Sequence, residues 1–312
     1  MNYYLAPLEG VTGYVYRNAY HEVFHNIDKY FTPFLSPTQH NKLTSREKND
    51  VIPEHNQRMY VVPQILTNQY EYFLNTVKQL QAFGYEEVNL NLGCPSKTVV
   101  TKKKGAGFLQ DPKQLEQFLD EIFEKSPISI SIKTRIGMES PEEFPVLMKI
   151  FNQYPVKELI IHPRVQTDYY KNMPHLETYA YAKEVATMPL CYNGDIFSVE
   201  DFNRYQQQFP DQTSWMLGRG IIGNPALLGQ IINGTLPNKE ELKRFHDKIY
   251  EGYEETISGE KNLLFKMKEI WFYMGNLFVD SQKAMKQIKK ATKAIQYRAT
   301  VERLFLEHEL SI

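Results

Sequence analysis

The sequence has little with which to cross-link itself: two cysteines, Cys94 and Cys191, in 312 residues. That excludes a disulfide framework and a cysteine-based zinc site, and it fits a reducing, cytoplasmic location. No metal is expected. No apolar run approaches the roughly 20 residues that a bilayer-spanning helix needs, so no membrane span is expected. The opening residues, Met1-Asn2-Tyr3-Tyr4-Leu5-Ala6-Pro7, have neither the basic start nor the long apolar stretch of a secretory signal. There is no GxxxxGK[ST], so a P-loop phosphate site is not indicated, and no Rossmann site is expected. Net charge is nearly absent too. The 36 basic and 37 acidic residues leave −1, which taken whole discourages a nucleic-acid partner.

What is present is an ordinary globular composition, 42% hydrophobic and 23% charged, rich in aromatics at 13%. Eight short β-rich runs alternate with helix-like stretches: Tyr3–Ala6, Tyr30–Leu35, Met59–Leu66, Glu87–Leu92, Ile128–Thr134, Glu158–His162, Met188–Asn193 and Ser214–Leu217. Alternation of this kind implies βαβ units and a parallel sheet. Eight units in one chain match an α/β fold of the (β/α)8 TIM-barrel type better than an open sheet. Pro112–Lys125, Pro141–Gln153 and Ser198–Gln208 read as intervening helices, two of them with proline in the first turn.

The turn-rich stretch Asn233-Gly234-Thr235-Leu236-Pro237-Asn238 marks a boundary. We expect a barrel over 1–236 and a small all-helical domain over 237–312. In the latter, Leu263, Met267, Ile270, Trp271, Met274, Leu277 and Phe278 recur at helical spacing, as do Ala284, Ile288, Ala291 and Ile295. From Lys261 to Arg303, eight Lys and two Arg stand against Glu269, Asp280 and Glu302, a net +7. Lys283, Lys286, Lys290 and Lys293 share one face of an expected final helix, with Tyr297 extending it. This face is either merely solvated or a stripe that tracks phosphates.

Chemistry in such a barrel lies at the C-terminal ends of the strands. There the sequence turns polar: Pro7-Leu8-Glu9, Gln64, Asn91 through Cys94, Lys133-Thr134-Arg135, His162-Pro163-Arg164, Asn193-Gly194-Asp195 and Gly218-Arg219-Gly220. Gly194 and Gly218 make tight turns on adjacent strands, and with Arg219 they suit a phosphate. Lys133 is a Schiff-base nucleophile, a cation beside an electron-rich cofactor, or a snorkelling strand-end lysine. Cys94 follows the fourth strand with no base adjacent in sequence, which suits a thiol acid. Cys191 lies inside the seventh strand and reads as core. His162 is core or a ligand contact.

These segments resemble the tRNA-dihydrouridine synthases. The resemblance rests on Ala6-Pro7-Leu8-Glu9-Gly10-Val11-Thr12, Asn89-Leu90-Asn91-Leu92-Gly93-Cys94-Pro95-Ser96-Lys97, Lys133-Thr134-Arg135-Ile136-Gly137, Asn193-Gly194-Asp195-Ile196 and Gly218-Arg219-Gly220. Their order and spacing agree over nearly the whole chain, and Glu9 with Cys94 through Val99 looks most like the bacterial branch acting on position 16. The resemblance implies an FMN-bound barrel that reduces the 5,6 double bond of a uridine in tRNA, with NADPH as electron source. It places Pro7, Leu8, Glu9, Gln64, Lys133, His162, Asn193, Gly194, Asp195, Gly218 and Arg219 around the flavin. Asn91 and Arg135 would face the target nucleotide, and Cys94 would protonate uracil C5 as general acid. Lys286, Lys290 and Lys293 would contact tRNA phosphates. The family commonly carries Met at the position of Leu8, where a backbone contact survives the change. A monomer is expected. The competing enzyme class is an FMN barrel acting on a free small molecule, dihydroorotate- or enoate-type, for which the basic helical segment has no use.

Overall fold

The structure, a computed structural model, describes residues 1–40 and 42–311. Ile312, the last residue of the expected helical domain, lies outside the described residues. The strands are β1 (Asn2–Leu5), β2 (Lys29–Phe31), β3 (Val61–Val62), β4 (Gln64–Ile65), β5 (Glu87–Leu92), β6 (Ser129–Arg135), β7 (Leu159–His162), β8 (Leu190–Tyr192) and β9 (Ser214–Leu217). In chain order the helices are α1 (Tyr14–Phe24), α2 (Ser45–Val51), α3 (Tyr70–Ala82), α4 (Lys97–Val100), α5 (Pro112–Lys125), α6 (Phe144–Phe151) and α7 (Leu176–Val185), then α8 (Val199–Gln208), α9 (Arg219–Gly223), α10 (Leu227–Asn233), α11 (Lys239–Thr256), α12 (Glu260–Met274), α13 (Gln282–Lys290) and α14 (Ala294–Glu307). Two compact units result. The first is Met1–Pro7, Asp28–Gly194 and Phe209–Met216; the second is Leu8–Ile27, Asp195–Gln208 and Leu217–Ile312.

The first unit holds the sheet, in the order β3-β2-β1-β9-β8-β7-β6-β5-β4 with parallel neighbours. Its two ends, β3 and β4, are halves of one run split by Pro63, which has no N–H to give a ladder. The Pro63 carbonyl instead accepts the Asn89 N–H at 2.9 Å, and Leu35 pairs with the same run through Gln64 O at 2.7 Å. One continuous segment therefore closes the sheet on itself, and the expected eight-stave parallel barrel is what forms.

Strand alternation sorts the side chains. Val88, Leu90, Leu92, Ile130 and Ile132 are buried, as helix-covered strand positions should be. Between them stand Asn89, Asn91, Ser131, Lys133 and Arg135, in register as Asn89↔Ser131 and Asn91↔Lys133. At the strand starts Lys29 Nζ lies 3.4 Å from Glu87 and 3.3 Å from Glu158, and Tyr4 Oη donates to Glu158 at 3.0 Å. Paired charges thus plug that end of the barrel and leave the other for chemistry. Helix α5 begins as expected, with Asp111 capping the Gln114 N–H and Pro112 in the first turn. The expected helix from Pro141 instead starts as a short 3-10 turn, Pro141–Glu143, because the Ser140–Glu143 capping box closes there and Pro145 sets the start of α6.

In the second unit, Phe245 on α11 meets the edge of Tyr16 on α1 at 5.3 Å between ring centres. Leu263, Met267, Ile270, Trp271, Met274, Leu277 and Phe278 are buried as expected. The final helix departs from expectation. α13 stops at Lys290, Ala291 turns extended, and α14 restarts at Ala294. Lys268 Nζ, donating to the Ala291 carbonyl at 2.6 Å, satisfies the end of α13. Ile295 is consequently 78% exposed and Tyr297 fully buried. Tyr297 Oη takes the Trp271 Nε1–H and bonds His246 Nε2, both at 2.7 Å. Tyr297 is a core residue and extends no basic face.

Candidate active site

In the first unit a chain of amides runs through the barrel. Asn91 Nδ2 donates to Gln64 Oε1 at 2.7 Å, Gln64 Nε2 to Asn89 Oδ1 at 2.8 Å, and Asn89 Nδ2 to Ser131 Oγ at 3.0 Å. Each bond fixes the orientation of the next amide. The chain ends at the Cys94 loop, because Asn91 Oδ1 accepts the Gly93 and Cys94 N–H groups at 3.0 and 2.9 Å. Three more bonds hold that loop. Arg135 Nε donates to Gly93 O at 3.1 Å, Gln166 Nε2 to Pro95 O at 3.0 Å, and the Ala106 N–H to Cys94 O at 3.1 Å. Gly105 lies beneath with φ +55°; a Cβ there would come 2.9 Å from Cys94 O and 3.0 Å from Cys94 Cβ.

Cys94 is half-buried. Burial pushes its thiol up from the usual range, and the Ser96 backbone, Arg135 and Lys133 pull it only part of the way back. The sulfur is therefore a protonated thiol at neutral pH. Burial, and then Arg135, push the Lys133 ammonium down to about 8. Among the described residues no carboxylate lies within ion-pair distance of it. Arg135 is fully buried and also donates to the carbonyls of Val165 at 2.8 Å and Tyr169 at 2.6 Å. His162 is buried, with Nε2 2.9 Å from Arg164 NH1. Arginine can only donate, so Nε2 is the acceptor and the ring is neutral. Asn193 Nδ2 donates to Met216 O at 2.8 Å, and a Cβ on Gly194 would stand 3.1 Å from Tyr192 Oη. Pro7 is half-buried at the end of β1, and Cys191 is fully buried core as expected.

In the second unit, the Leu8 carbonyl accepts the Val11 and Thr12 N–H groups while its own N–H goes to Thr12 Oγ1 at 2.8 Å. That self-closed turn leaves Glu9 exposed. Asp195 Oδ1 pairs with Arg219 NH2 at 2.8 Å. Gly218 precedes α9, and a Cβ on Gly220 would fall 1.9 Å from Ile196 O, so two backbones meet where only glycine fits. Lys286 and Lys290 are exposed on α13. Lys293 is apart from them, beyond the break, 3.6 Å from Glu260.

Two contributors, Gln166 and Gly105, escape a reading of the sequence, and two more, Asn89 and Ser131, are open to one. Gln166 is 71 residues from the carbonyl it holds, and nothing local marks it. Gly105 follows three lysines and reads as a loop residue. Asn89 and Ser131 do carry a signal, polar side chains two apart from Asn91 and Lys133 in otherwise apolar strands. His21 and His25 also stand at a metal-like HxxxH spacing that the expectation of no metal passed over. His25 leaves α1 in a left-handed cap, and Glu22 pairs with Lys248. Among the described residues no three His, Cys, Asp or Glu side chains cluster to hold an ion, and no helix is long and apolar enough to cross a membrane.

Residues 4–309 match the sequence profile described as Dihydrouridine synthase (Dus). The chain is 30% identical over 150 residues to a tRNA-dihydrouridine(16) synthase of Aquipseudomonas alcaligenes, covering 47% of each. Against the protein of that name from Neisseria meningitidis serogroup A it is 23% identical over 321 residues, 99% of this chain and 95% of the other. The chain spans about half the length of the first curated relatives it matches, 47% for that of Aquipseudomonas alcaligenes. Among solved structures, morphinone reductase in complex with tetrahydroNAD superposes with TM-score 0.52 at 13% identity, over 78% of this chain and 90% of that one. A crystal structure of TcOYE with pHBA gives TM-score 0.54 at 10% identity, over 83% and 96%. At such identities the likeness is one of fold, a TIM barrel.

Proposed function

The chain belongs to the dihydrouridine synthase family, and from that we propose that it reduces the 5,6 double bond of a uridine in tRNA to dihydrouridine, as a cytoplasmic monomer. The observation that carries the reading is the Cys94 loop. It holds a thiol kept protonated by burial, at the C-terminal end of a barrel strand, with its backbone fixed from four directions.

FMN is the proposed cofactor and NADPH the proposed reductant. The residues fit a flavin: Lys133 is a cation without a carboxylate partner among the described residues, beside an oriented run of amides. A bound flavin would supply hydride to uracil C6. From the first unit Pro7, Gln64, Lys133, His162, Asn193 and Gly194 are proposed to hold it. Lys133 neutralises the electron-rich edge, and Gln64 offers its remaining amide hydrogen there. From the second unit Leu8 and Glu9 are proposed to contribute backbone groups, and Asp195, Gly218 and Arg219 to serve the phosphate. Cys94 Sγ gives its proton to C5, where negative charge develops. Arg135 and Lys133, which favour the thiolate, stabilise the sulfur that has lost it. Asn91 and Arg135 are the proposed contacts to the nucleotide. Both already spend polar atoms on backbone groups and so present a rigid edge. The target base must leave its stack to reach this depth. The barrel of 1–236 is the proposed catalytic domain and 237–312 the proposed tRNA-binding one, with Lys286, Lys290 and Lys293 on phosphates.

The purified protein should be yellow. Cys94→Ala should keep the colour and NADPH oxidation yet lose dihydrouridine formation by about 100-fold or more, the usual span for a general acid. A colourless protein that takes up no FMN, or a variant with undiminished turnover, contradicts the mechanism. Turnover of a small enoate or dihydropyrimidine, with no dihydrouridine made in tRNA, would move the chain to the small-molecule class.

A further inference from the structure

Two grooves flank α13, and the side chains that line them differ in kind. On one flank Lys283, Lys286 and Lys290 face Arg303 of α14 across an open groove of about 540 Å³. On the other, Met285 and Lys289 face α12 across a groove of about 700 Å³, and the α12 wall carries Phe265 and Phe272. The helical period explains the division, since 283, 286 and 290 recur on one side of α13 and 285 and 289 on another. Phe265 and Phe272 stand seven residues apart, so they share one face of α12. They are 62% and 80% exposed, while Leu263, Met267, Ile270 and Met274 of the same helix are buried. Scattered exposed apolar side chains are commonplace. Two phenyl rings lining one cavity, in the most basic stretch of the chain, are not explained by the packing of the bundle. The groove is a fixed one, because Lys268 ties the end of α13 to α12 through the Ala291 carbonyl.

We infer that Phe265 and Phe272 form a stacking platform for unpaired bases of an RNA loop whose phosphates lie in the basic groove on the other flank of α13. The inference rests on the proposed tRNA substrate and deepens it. A nucleotide strand carries its phosphates and bases on opposite sides of the sugar chain, and unstacked bases settle on aromatic rings whatever their identity. A ridge with cations along one flank and rings along the other matches that arrangement. The aromatic groove is the less basic of the two: Glu9 and Glu269 line it beside Lys289 and Lys268, Lys268 donates to the Ala291 carbonyl, and Glu269 is paired with Lys266 at 3.1 Å. A second copy of this chain is the weaker occupant, because stretches of like charge would oppose each other.

The test is the double variant Phe265→Ala/Phe272→Ala in the full-length protein. It needs binding to a tRNA transcript at several salt concentrations, sedimentation of the protein alone, and a melting curve to confirm folding. Loss of affinity by about tenfold or more, with an unaltered salt slope and recovery in Phe265→Tyr/Phe272→Tyr, is expected. Wild-type binding matched by an indifferent double variant overturns the platform and leaves the proposed function standing. A wild-type protein that binds no tRNA overturns both. Sedimentation that shifts from dimer to monomer in the double variant assigns the rings to self-association and overturns the platform.

Discussion

Lys133 is where a single titration governs binding. Its ammonium, pushed down to about 8, is half deprotonated in mildly alkaline solution before any cofactor arrives. An anionic cofactor edge beside it would favour the charged form and so raise that value on binding. The sign follows. Binding draws on the protonated lysine, so FMN affinity should be level below about pH 7 and weaken as pH rises through about 8. Lys133→Met should lose about 10- to 100-fold in FMN affinity, the worth of a charge-assisted contact, and should flatten the pH profile. Fluorescence titration of apoprotein with FMN reads both. A wild-type profile that stays level to about pH 10 would remove Lys133 from the cofactor.

At the scale of elements, the Cys94 loop depends on what lies under it. Gly105 has a backbone conformation that L side chains avoid, and an added methyl would press on both the carbonyl and the Cβ of Cys94. Gly105→Ala should therefore cost about 1–3 kcal/mol of stability, and should depress turnover on tRNA more than FMN retention. Denaturant melts and a tRNA turnover assay separate the two effects. His246 makes a second prediction. Burial holds its imidazole below the ordinary value, so the folded state refuses a proton that the unfolded chain accepts near 6.5. Stability should then decline as pH falls below about 6.5, by at most about 1.4 kcal/mol per pH unit, and His246→Gln should weaken that slope in thermal melts.

The elements that were legible in the sequence are those whose pattern is local. Glu87–Leu92 and Pro112–Lys125 form over the expected residues, because an apolar strand and a capped amphipathic helix each declare themselves within one segment. The break between α13 and α14 was not legible. It contains neither glycine nor proline, and it rests on a lysine that reaches across from α12. Likewise Cys94 and Lys133 stand out by sequence position, while Gln166 and Gly105 matter only once the chain has brought them to the loop.

For the molecule as a whole, the near-zero net charge conceals segregation. The stretch from Lys261 to Arg303, with eight Lys and two Arg against three acids, leaves −8 for the remainder of a chain whose total is −1. Affinity for tRNA should accordingly fall steeply with salt. Lys283→Gln/Lys286→Gln/Lys290→Gln should reduce the slope of log K against log salt by about 2–3, and Lys293→Gln, whose ammonium is shared with Glu260 at 3.6 Å, by less than about 1. Equal slopes in the triple variant and the wild type would make that groove a solvated surface.

The barrel's closure at Pro63 also fixes where the polypeptide can be cut. Because β3 and β4 are one covalent stave, a circular permutant opened at Pro63 would sever the ring and bare two parallel strand edges at once. Unpaired edges invite pairing between chains, so that permutant would be prone to aggregate. A permutant opened in the Asn233–Asn238 turn would keep every stave joined to its neighbours and should remain soluble.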